Sequence, residues 1–576
     1  MSRPYTGQTR EILIERKRPN GDIYVYKRVV QYDRETKKMK IVSETLMGIK
    51  DPKTGEIRKT RHRRTKAEMQ EAREATRIRV GMTEILDWVG KTSGIDADIN
   101  KCLPDEPETA LKIISLARYL TVSDHNTLAA FENWQINHAT PYGDFISECT
   151  YHKLFDYLGQ NESFCQNYFK ARASHLKKGD SIAYDSTTIS TYSEKQIEAR
   201  QGFNKDGDGL DTIKLLFLYS VDNHQPIAFA KQPGNIPDVI SIENTLKQFE
   251  VLEVKRPQLV TDKGYYSEDN ILNLVRSHMD FITACPDNVK WIKDAYIDKV
   301  NSLHSAATVC PFDQSEINGF TVRVMHEFTW ERQHSSKSKK KGETESKSYR
   351  IYLHVFRSES KAQQERINEF TKLRDLKAQL MSGETEFTES AQRYIDKALI
   401  IHRRKGEIYK IEDNTAFLDE RSKLYGIFTI MTNHEKDCFE VLKKYRKRNR
   451  IEDCFKLDKE YTDGGRPRVW TSDILRGRMM VQFVALGYLS FLYAKLGEVK
   501  DSLGKPTGDE LHDTKARLAA EKSLLSWIEN HSLQQQLSYF DCIEETTVNT
   551  AAKKIRWTTE HIKRDRLYLQ ALGIIK

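Results

Sequence analysis

Nothing in this sequence offers a bilayer enough apolar length. The longest apolar stretch, "MMVQFVALGYLSFLYA" from Met479, is shorter than the roughly 20 residues a spanning helix needs, and Arg476, Arg478 and Lys495 flank it closely. It reads as a buried core helix, and no membrane partner is expected. No apolar run follows the opening "MSRPYTGQTR", so no secretory signal is visible. Cysteine is thinly spread. Among Cys102, Cys149, Cys165, Cys285, Cys310, Cys438, Cys454 and Cys542 there is no C-x-x-C pair. That removes a zinc knuckle and a dithiol redox motif and leaves reduced thiols in a cytoplasmic chain as the simple reading. No internal repeat is visible. One biased segment, "SSKSKKKGETESKS" (335–348), reads as an exposed loop or hairpin tip.

What the chain does have is length and segregated charge. Its 576 residues, 38% hydrophobic and 30% charged, suit several folded domains rather than a disordered chain. The formal net charge is +9, yet residues 1–66 alone hold 19 Lys and Arg against 8 Asp and Glu, or +11. The rest of the chain is therefore slightly acidic, apart from islands at Lys443–Arg450 and Lys337–Lys341. Positive charge gathered in this way is the footprint of a polyanion binder; the plain alternative is a solvated basic arm.

Residues 11–59 alternate apolar and polar between the turn signals "PNGD", "DRETKK" and "DPKTGE", which predicts a small antiparallel meander. Helical patterning is expected from "TKAEMQEAREATRIRV" (residue 65) to about residue 178. The texture then changes. "SIAYDST", "IKLLFLYSVD" and "QPIAFAKQ" read as strands, "DVISIENTLKQFEVL" as helix, "PQLVTDKGYY" as strand, "EDNILNLVRSH" as helix and "DFITAC" as strand, giving a mixed α/β sheet. From about residue 290 the pattern is irregular and strand-rich, before a basic helix near 443–460, the apolar helix at 473–496 and a helical tail.

Two aspartates follow apolar strand-like runs, Asp185 in "IAYDSTT" and Asp262 in "LVTDKGY". Each is expected where a buried strand reaches the sheet edge, the place where open α/β sheets build sites. The basic helix "KKYRKRNRIEDCFKLDKE" carries one acid that its charge run does not explain. On a helix turning about 100° per residue, Tyr445, Arg448, Glu452, Phe455 and Lys459 share a sector about 80° wide. Taken singly, each acid has an ordinary explanation: a turn former for the aspartates, an i,i+4 partner of Arg448 or Lys456 for Glu452. Taken together, three carboxylates without His or Cys suit Mg²⁺ or Mn²⁺, and two such ions activate water or a 3′-hydroxyl against a phosphodiester.

These residues resemble a known family. Tyr445, Arg448, Glu452 and Lys459 match the Y-(2)-R-(3)-E-(6)-K signature of the bacterial DDE transposases of the class called insertion sequence four. "DKGY" matches that class's D-[KR]-G-[FY], "GNIPD" (Gly234–Asp238) resembles its G-N-x-x-D, and "YVYK…YDRETKK…LMGIKDPKTGEI" resembles the opening of a longer-chain subgroup. The resemblance runs from about residue 20 to 500. It implies an RNase H-like catalytic core, a mixed sheet with flanking helices, interrupted by a strand-rich insertion between the last core strand and the helix bearing Glu452. The 77 residues from Asp185 to Asp262 against the 190 from Asp262 to Glu452 leave room for that insertion.

The organisation expected on this basis is a basic β-rich DNA-binding region at 1–66 and a helical DNA-binding region at 67–178. The core would occupy 179–290 and 433–500, the insertion 291–432, and a helical tail, a candidate for dimerisation, 501–576. The resemblance further implies Asp185, Asp262 and Glu452 as catalytic residues and ligands of two Mg²⁺ or Mn²⁺ ions. Tyr445, Arg448 and Lys459, with Lys263, Lys444, Arg446 and Lys447, would contact DNA phosphates. Trp330, ahead of the basic loop together with His334, is either a base-stacking residue or a core tryptophan. Phe455 is expected in the core. The implied partners are double-stranded DNA, as terminal inverted repeats and target, and a homodimer or larger assembly synapsing two ends, in a bacterial cytoplasm at the nucleoid. A nuclease without strand transfer, or an end-binding repressor that does not cut, are the alternatives.

Overall fold

The computed structural model of the chain describes residues 9–575 apart from 19–21, 34–35, 52–53, 59–74, 124–126, 203, 205–206, 238–246, 248, 255–256, 332–341, 385, 462–468, 507, 509–513 and 550–553. Two compact units are present, one built mainly from residues 9–76 and the other mainly from 77–546.

The first unit holds the expected meander. Strands β1 (Thr9–Lys17), β2 (Ile23–Asp33), β3 (Lys38–Lys50) and β4 (Ile57–Arg58) form an antiparallel sheet in chain order. It buries little: Val25 and Val30 are inside, while Leu13, Ile41 and Val42 stay exposed. Cross-strand ion pairs line it instead. Arg16 and Arg28 share Glu44, Lys27 meets Glu11, Lys50 meets Glu15 and Arg58 meets Asp51. Five of its cations are thus matched locally, while Lys17, Lys38 and Lys40 stand exposed.

The helix expected from residue 65 is not what its described end adopts: Ala75–Arg79 is extended. Arg79 donates its N–H to Asn137 and accepts from Ala139 at 2.8 and 3.0 Å. That long-range pairing overrides the local pattern. Helices then follow as expected: α1 (Gly81–Thr92), α2 (Ile95–Cys102), α3 (Pro107–Val122), α4 (Glu148–Gln160) and α5 (Glu162–Ala173).

The sheet of the second unit is built from β5 (Ser181–Thr191), β6 (Asp211–Ser220), β7 (Gln225–Pro233), β8 (Gln258–Thr261) and β9 (Asp280–Cys285), with α6 (Glu268–Arg276) between the last two. Strand β6 is antiparallel to both β5 and β7; β8 lies parallel to β5 on its other side, and β9 parallel to β8. Both faces are buried. Ala183, Leu215, Phe217 and Tyr219 enter the core beneath the helices, and Ile182, Tyr184, Leu216 and Leu218 enter the opposite one. That explains why "IKLLFLYS" is almost unbrokenly apolar, since a strand covered on both sides has no polar face to show. Residues 238–246, within the helix expected between β7 and β8, lie outside the described residues.

Three strands of the region expected as an insertion do not build a sheet apart. Strands β10 (Ile317–Glu331), β11 (Thr344–Ser358) and, after a long excursion, β14 (Ile427–Thr432) continue the same sheet, whose order is β10-β11-β14-β9-β8-β5-β6-β7. The excursion contains a helix the periodicity did not disclose, α7 (Glu359–Met381), then α8 (Glu389–Ala398) and the hairpin β12 (Leu399–Arg404) and β13 (Glu407–Asp413). Leu373, Leu376, Leu380, Ile395 and Leu399 form its small core.

The basic helix expected near 443–460 is two helices, α9 (Cys438–Arg446) and α10 (Asn449–Tyr461). At the joint, Arg448 N–H donates to Tyr445 and Ile451 N–H to Arg448 over three residues rather than four, at 2.9 and 2.8 Å. The apolar stretch lies in α11 (Ser472–Ser502), and its most apolar window is 78% buried against the rest of the fold. The tail is helical only in part, with strands at Glu544–Asn549 and Lys554–Thr558.

Helices α4 and α11 meet at two glycines. A Cβ on Gly477 would lie 1.8 Å from Phe155 O, and one on Gly159 would lie 1.9 Å from Asp473 O. Both close approaches are to backbone, which has no rotamer to give way. Gly477→Ala is therefore expected to destabilise the protein by about 1–3 kcal/mol through overpacking, read as a lowered denaturation midpoint. An unchanged midpoint would show that the helices separate without cost.

Candidate active site

The register of β5 and β8 brings the two aspartates side by side. Tyr184 is paired with Thr261, so Asp185 and Asp262 are the next residues on adjacent parallel strands in the middle of the sheet. Alternation sets their direction. Asp185 follows Ala183 toward the helical core that holds Ile451, Cys454 and Phe455 of α10, and Asp262 follows Val260 toward the core that holds Val441 and Leu442 of α9. Each carboxylate is steadied by its neighbouring amide: Ser186 N–H donates to Asp185 Oδ1 at 2.8 Å, and Lys263 N–H to Asp262 Oδ1 at 2.7 Å.

The helix pair supplies the remaining groups. Asp437 caps α9, accepting the N–H groups of Phe439 and Glu440. Ile451, Cys454 and Phe455 anchor α10, with Phe455 edge-on to Phe217 at 5.3 Å between ring centres. Phe455 is thus a core residue, as expected. That anchoring leaves Glu452 exposed at the surface of the joint. Arg448 lies almost fully buried within it: its Nη1 donates to Asp185 Oδ2 at 2.9 Å and its Nη2 to Glu452 Oε1 at 2.5 Å. Tyr445 donates its hydroxyl to Asp262 Oδ1 at 3.3 Å, and its ring centre lies 5.7 Å from the Arg448 guanidinium carbon. Burial works against the Arg448 charge, but Tyr445, Asp185, Asp262 and Glu452 outweigh it and hold the pKa above its ordinary value. Burial pushes the Tyr445 phenol up, further than Arg448 draws it down.

The profile of the transposase DDE domain family matches residues 177–486, more than half of the chain and all of the elements just described. The chain belongs to that family. Among solved structures, the synaptic complex of piggyBac transposase with hairpin DNA aligns with 80% of this chain and 82% of its own, at 8% identity and a TM-score of 0.33. No curated protein is similar enough to match.

Of the side chains singled out in the sequence, the transposase brings Asp185, Asp262, Tyr445, Arg448 and Glu452 into one connected cluster. Lys459 lies on α10, its side chain outside the described residues, as are Asp238 and His334. The cations expected to follow the DNA backbone are partly exposed and face acids at their edges: Lys444 faces Glu435 at 3.7 Å, Arg446 Asp313 at 2.8 Å and Lys447 Asp222 at 3.4 Å. Lys263 is exposed on the turn after Asp262. Trp330, on β10, packs partly buried against the core, with Arg276 over its ring at 4.9 Å.

Among the described residues, no three His, Cys, Asp or Glu side chains stand close enough together to hold a metal ion as they are placed. The donor chemistry nevertheless fits one. All three acids offer hard oxygen, two from matched positions on adjacent strands and one from the helix above them, and a positive charge already stands between Asp185 and Glu452 in the form of Arg448. What the sequence did not foresee is this last contact. The spacing that suggests a phosphate-binding arginine also suits an i,i+4 ion pair, and the buried pair with Asp185 depends on the bend at residues 447–448.

Proposed function

We propose that the chain is the transposase of a bacterial insertion sequence of the insertion-sequence-four class. It would bind the terminal inverted repeats, cleave the element ends by Mg²⁺-dependent hydrolysis and join them to target DNA. The observation that carries this reading is the placement of Asp185 and Asp262 at matched positions on adjacent parallel strands, with Glu452 tied to Asp185 through Arg448. An antiparallel triplet with two parallel strands laid beside its first member also supports an RNase H-like core.

On this reading Asp185, Asp262 and Glu452 would hold two Mg²⁺ or Mn²⁺ ions. Bound there, the ions supply Lewis-acid stabilisation of the phosphodiester and a stronger nucleophile from water or a 3′-hydroxyl. The chain's own groups do the rest. Tyr445 orients the Asp262 carboxylate through its hydroxyl. Lys459, Lys263, Lys444, Arg446 and Lys447 neutralise backbone phosphates and set the register of the duplex without reading its sequence. A homodimer or larger assembly would hold two ends together.

A gel assay with labelled terminal repeats and Mg²⁺ tests this. Cleaved and joined products are expected; cleavage without joining would mean a nuclease, and a shift alone would mean an end-binding repressor.

The N-terminal unit gives a second expectation. Deleting residues 1–66 is expected to weaken DNA binding and flatten its salt dependence, the log–log slope falling by about 0.9 for each phosphate that is no longer neutralised. A slope unchanged by the deletion would place the DNA-binding surface elsewhere.

A further inference from the structure

We infer that Arg448 is an internal counter-ion which the catalytic acids exchange for metal, so that metal uptake and DNA engagement form one coupled equilibrium. This rests on the reading of Asp185, Asp262 and Glu452 as the metal-holding acids.

Arg448 bridges two of those acids, its two terminal nitrogens each on a different carboxylate, and its side chain is 7% exposed. Its Nε is buried with no hydrogen-bond partner among the described residues, so its placement is set by the two carboxylates rather than by a complete network. The neighbouring cations do not share this position. Lys444, Arg446 and Lys447 face Glu435, Asp313 and Asp222.

A guanidinium keeps its charge at any working pH, so it cannot make way for another cation by losing a proton. It can only move. A lone pair engaged by Arg448 is not offered to a metal, and a dication placed beside a buried guanidinium meets a like charge in a medium that screens poorly. Metal entry therefore requires Arg448 to leave at least one carboxylate, and a buried cation that leaves its partner needs another anion. A DNA phosphate has the charge and the fork geometry to receive it. Without DNA, Arg448 suppresses metal affinity. With DNA, it is drawn away and the acids are freed. By linkage, metal must then raise affinity for DNA by the factor by which DNA raises affinity for metal.

A purely structural arginine predicts the opposite sign. If Arg448 only braced the acids, its removal would scatter them and weaken metal binding. The test is a titration of the full-length protein with Mn²⁺ in the absence of DNA, the free ion being counted by electron paramagnetic resonance. Arg448→Gln is expected to bind Mn²⁺ about tenfold more tightly than wild type, the order of effect of removing one nearby like charge. Arg448→Lys, which keeps the charge but cannot fork across two carboxylates, should bind more tightly by a smaller factor. It also decides the matter if the glutamine variant does not fold. Arg374→Gln, an exposed cation on α7, should leave the affinity unchanged, which separates the local effect from net charge.

A duplex carrying the element end should tighten Mn²⁺ binding in wild type and have no such effect in Arg448→Gln. Equal or weaker Mn²⁺ binding by both Arg448 variants would overturn the inference. Asp262→Asn, run in parallel, separates the two claims. If it binds Mn²⁺ as wild type does, the acids are not the metal site, and the functional reading and this inference fall together.

Discussion

Asp185→Asn, Asp262→Asn and Glu452→Gln are each expected to lower Mg²⁺-dependent cleavage of element ends by at least about 10³-fold while DNA binding persists. Each substitution keeps the size of the side chain and removes one carboxylate charge from a cluster built around three. The two aspartates occupy matched positions on β5 and β8. The neighbour of Glu452, Asp453, is also exposed but lines a cleft with His224, Arg450 and Ser490. DNA affinity, by contrast, is spread over many cations and is indifferent to one acid. Single-turnover cleavage at saturating DNA is the measurement. A variant that still cuts at a tenth of the wild-type rate or better would remove its residue from the site.

The second large effect concerns stability. Arg172, at the end of α5, is buried beside Asp98 of α2 at 2.8 Å, and also donates to Gln225 of β7 and to Ser93 O. His175 meets the same Asp98 carboxylate at 2.9 Å. This cluster ties the helical region to the eight-stranded sheet, and Gln225 passes the tie on to Gly487 O of α11. Arg172→Met leaves a buried carboxylate with half its compensation, which is expected to cost about 3–5 kcal/mol. Replacing both partners, in Arg172→Met with Asp98→Leu, should recover part of that loss, because the desolvated charge goes too. Equal midpoints for wild type and Arg172→Met in urea would refute the assignment.

The same carboxylate carries a pH dependence. Burial raises the Asp98 pKa, but His175 and Arg172 outweigh it and leave the group below its ordinary value. The unfolded chain therefore binds the proton more readily. The stabilisation is present above the unfolded value of about 3.9 and is lost as pH falls through the folded one.

Much of the site was legible in local patterns, and the parts that were not share a cause. Asp262 announces itself because the buried strand β8 ends just before it; Asp185 follows the same kind of apolar run but lies mid-strand, because β5 continues to Thr191 in its pairing with β6. Phe455 reads as core and is core. The bend at residues 447–448 is different. "YRKRNR" contains no Gly or Pro, and the break accompanies distant contacts: Arg448 with Asp185, and Arg450 with Val221 O and His224 at 2.8 Å each. Likewise, β10, β11 and β14 read correctly as strands, but no pattern within them says that they join the sheet begun at residue 181. Helix α7 passed unnoticed because its apolar positions are sparse and cover a small local core rather than the main one.

The chain order of the site also sets a clock. The strands that carry both aspartates, and their neighbours as far as β9, are complete in sequence by residue 285, but Glu452 comes 190 residues after Asp262, with the arginine that restrains it just ahead. At an elongation rate of about 20 residues per second, the ribosome needs roughly ten seconds to cover that interval. During it the nascent chain displays two acids of the three. On the proposed reading cutting power would therefore emerge late in synthesis and all at once, and a chain terminated anywhere before α10 would lack the third acid.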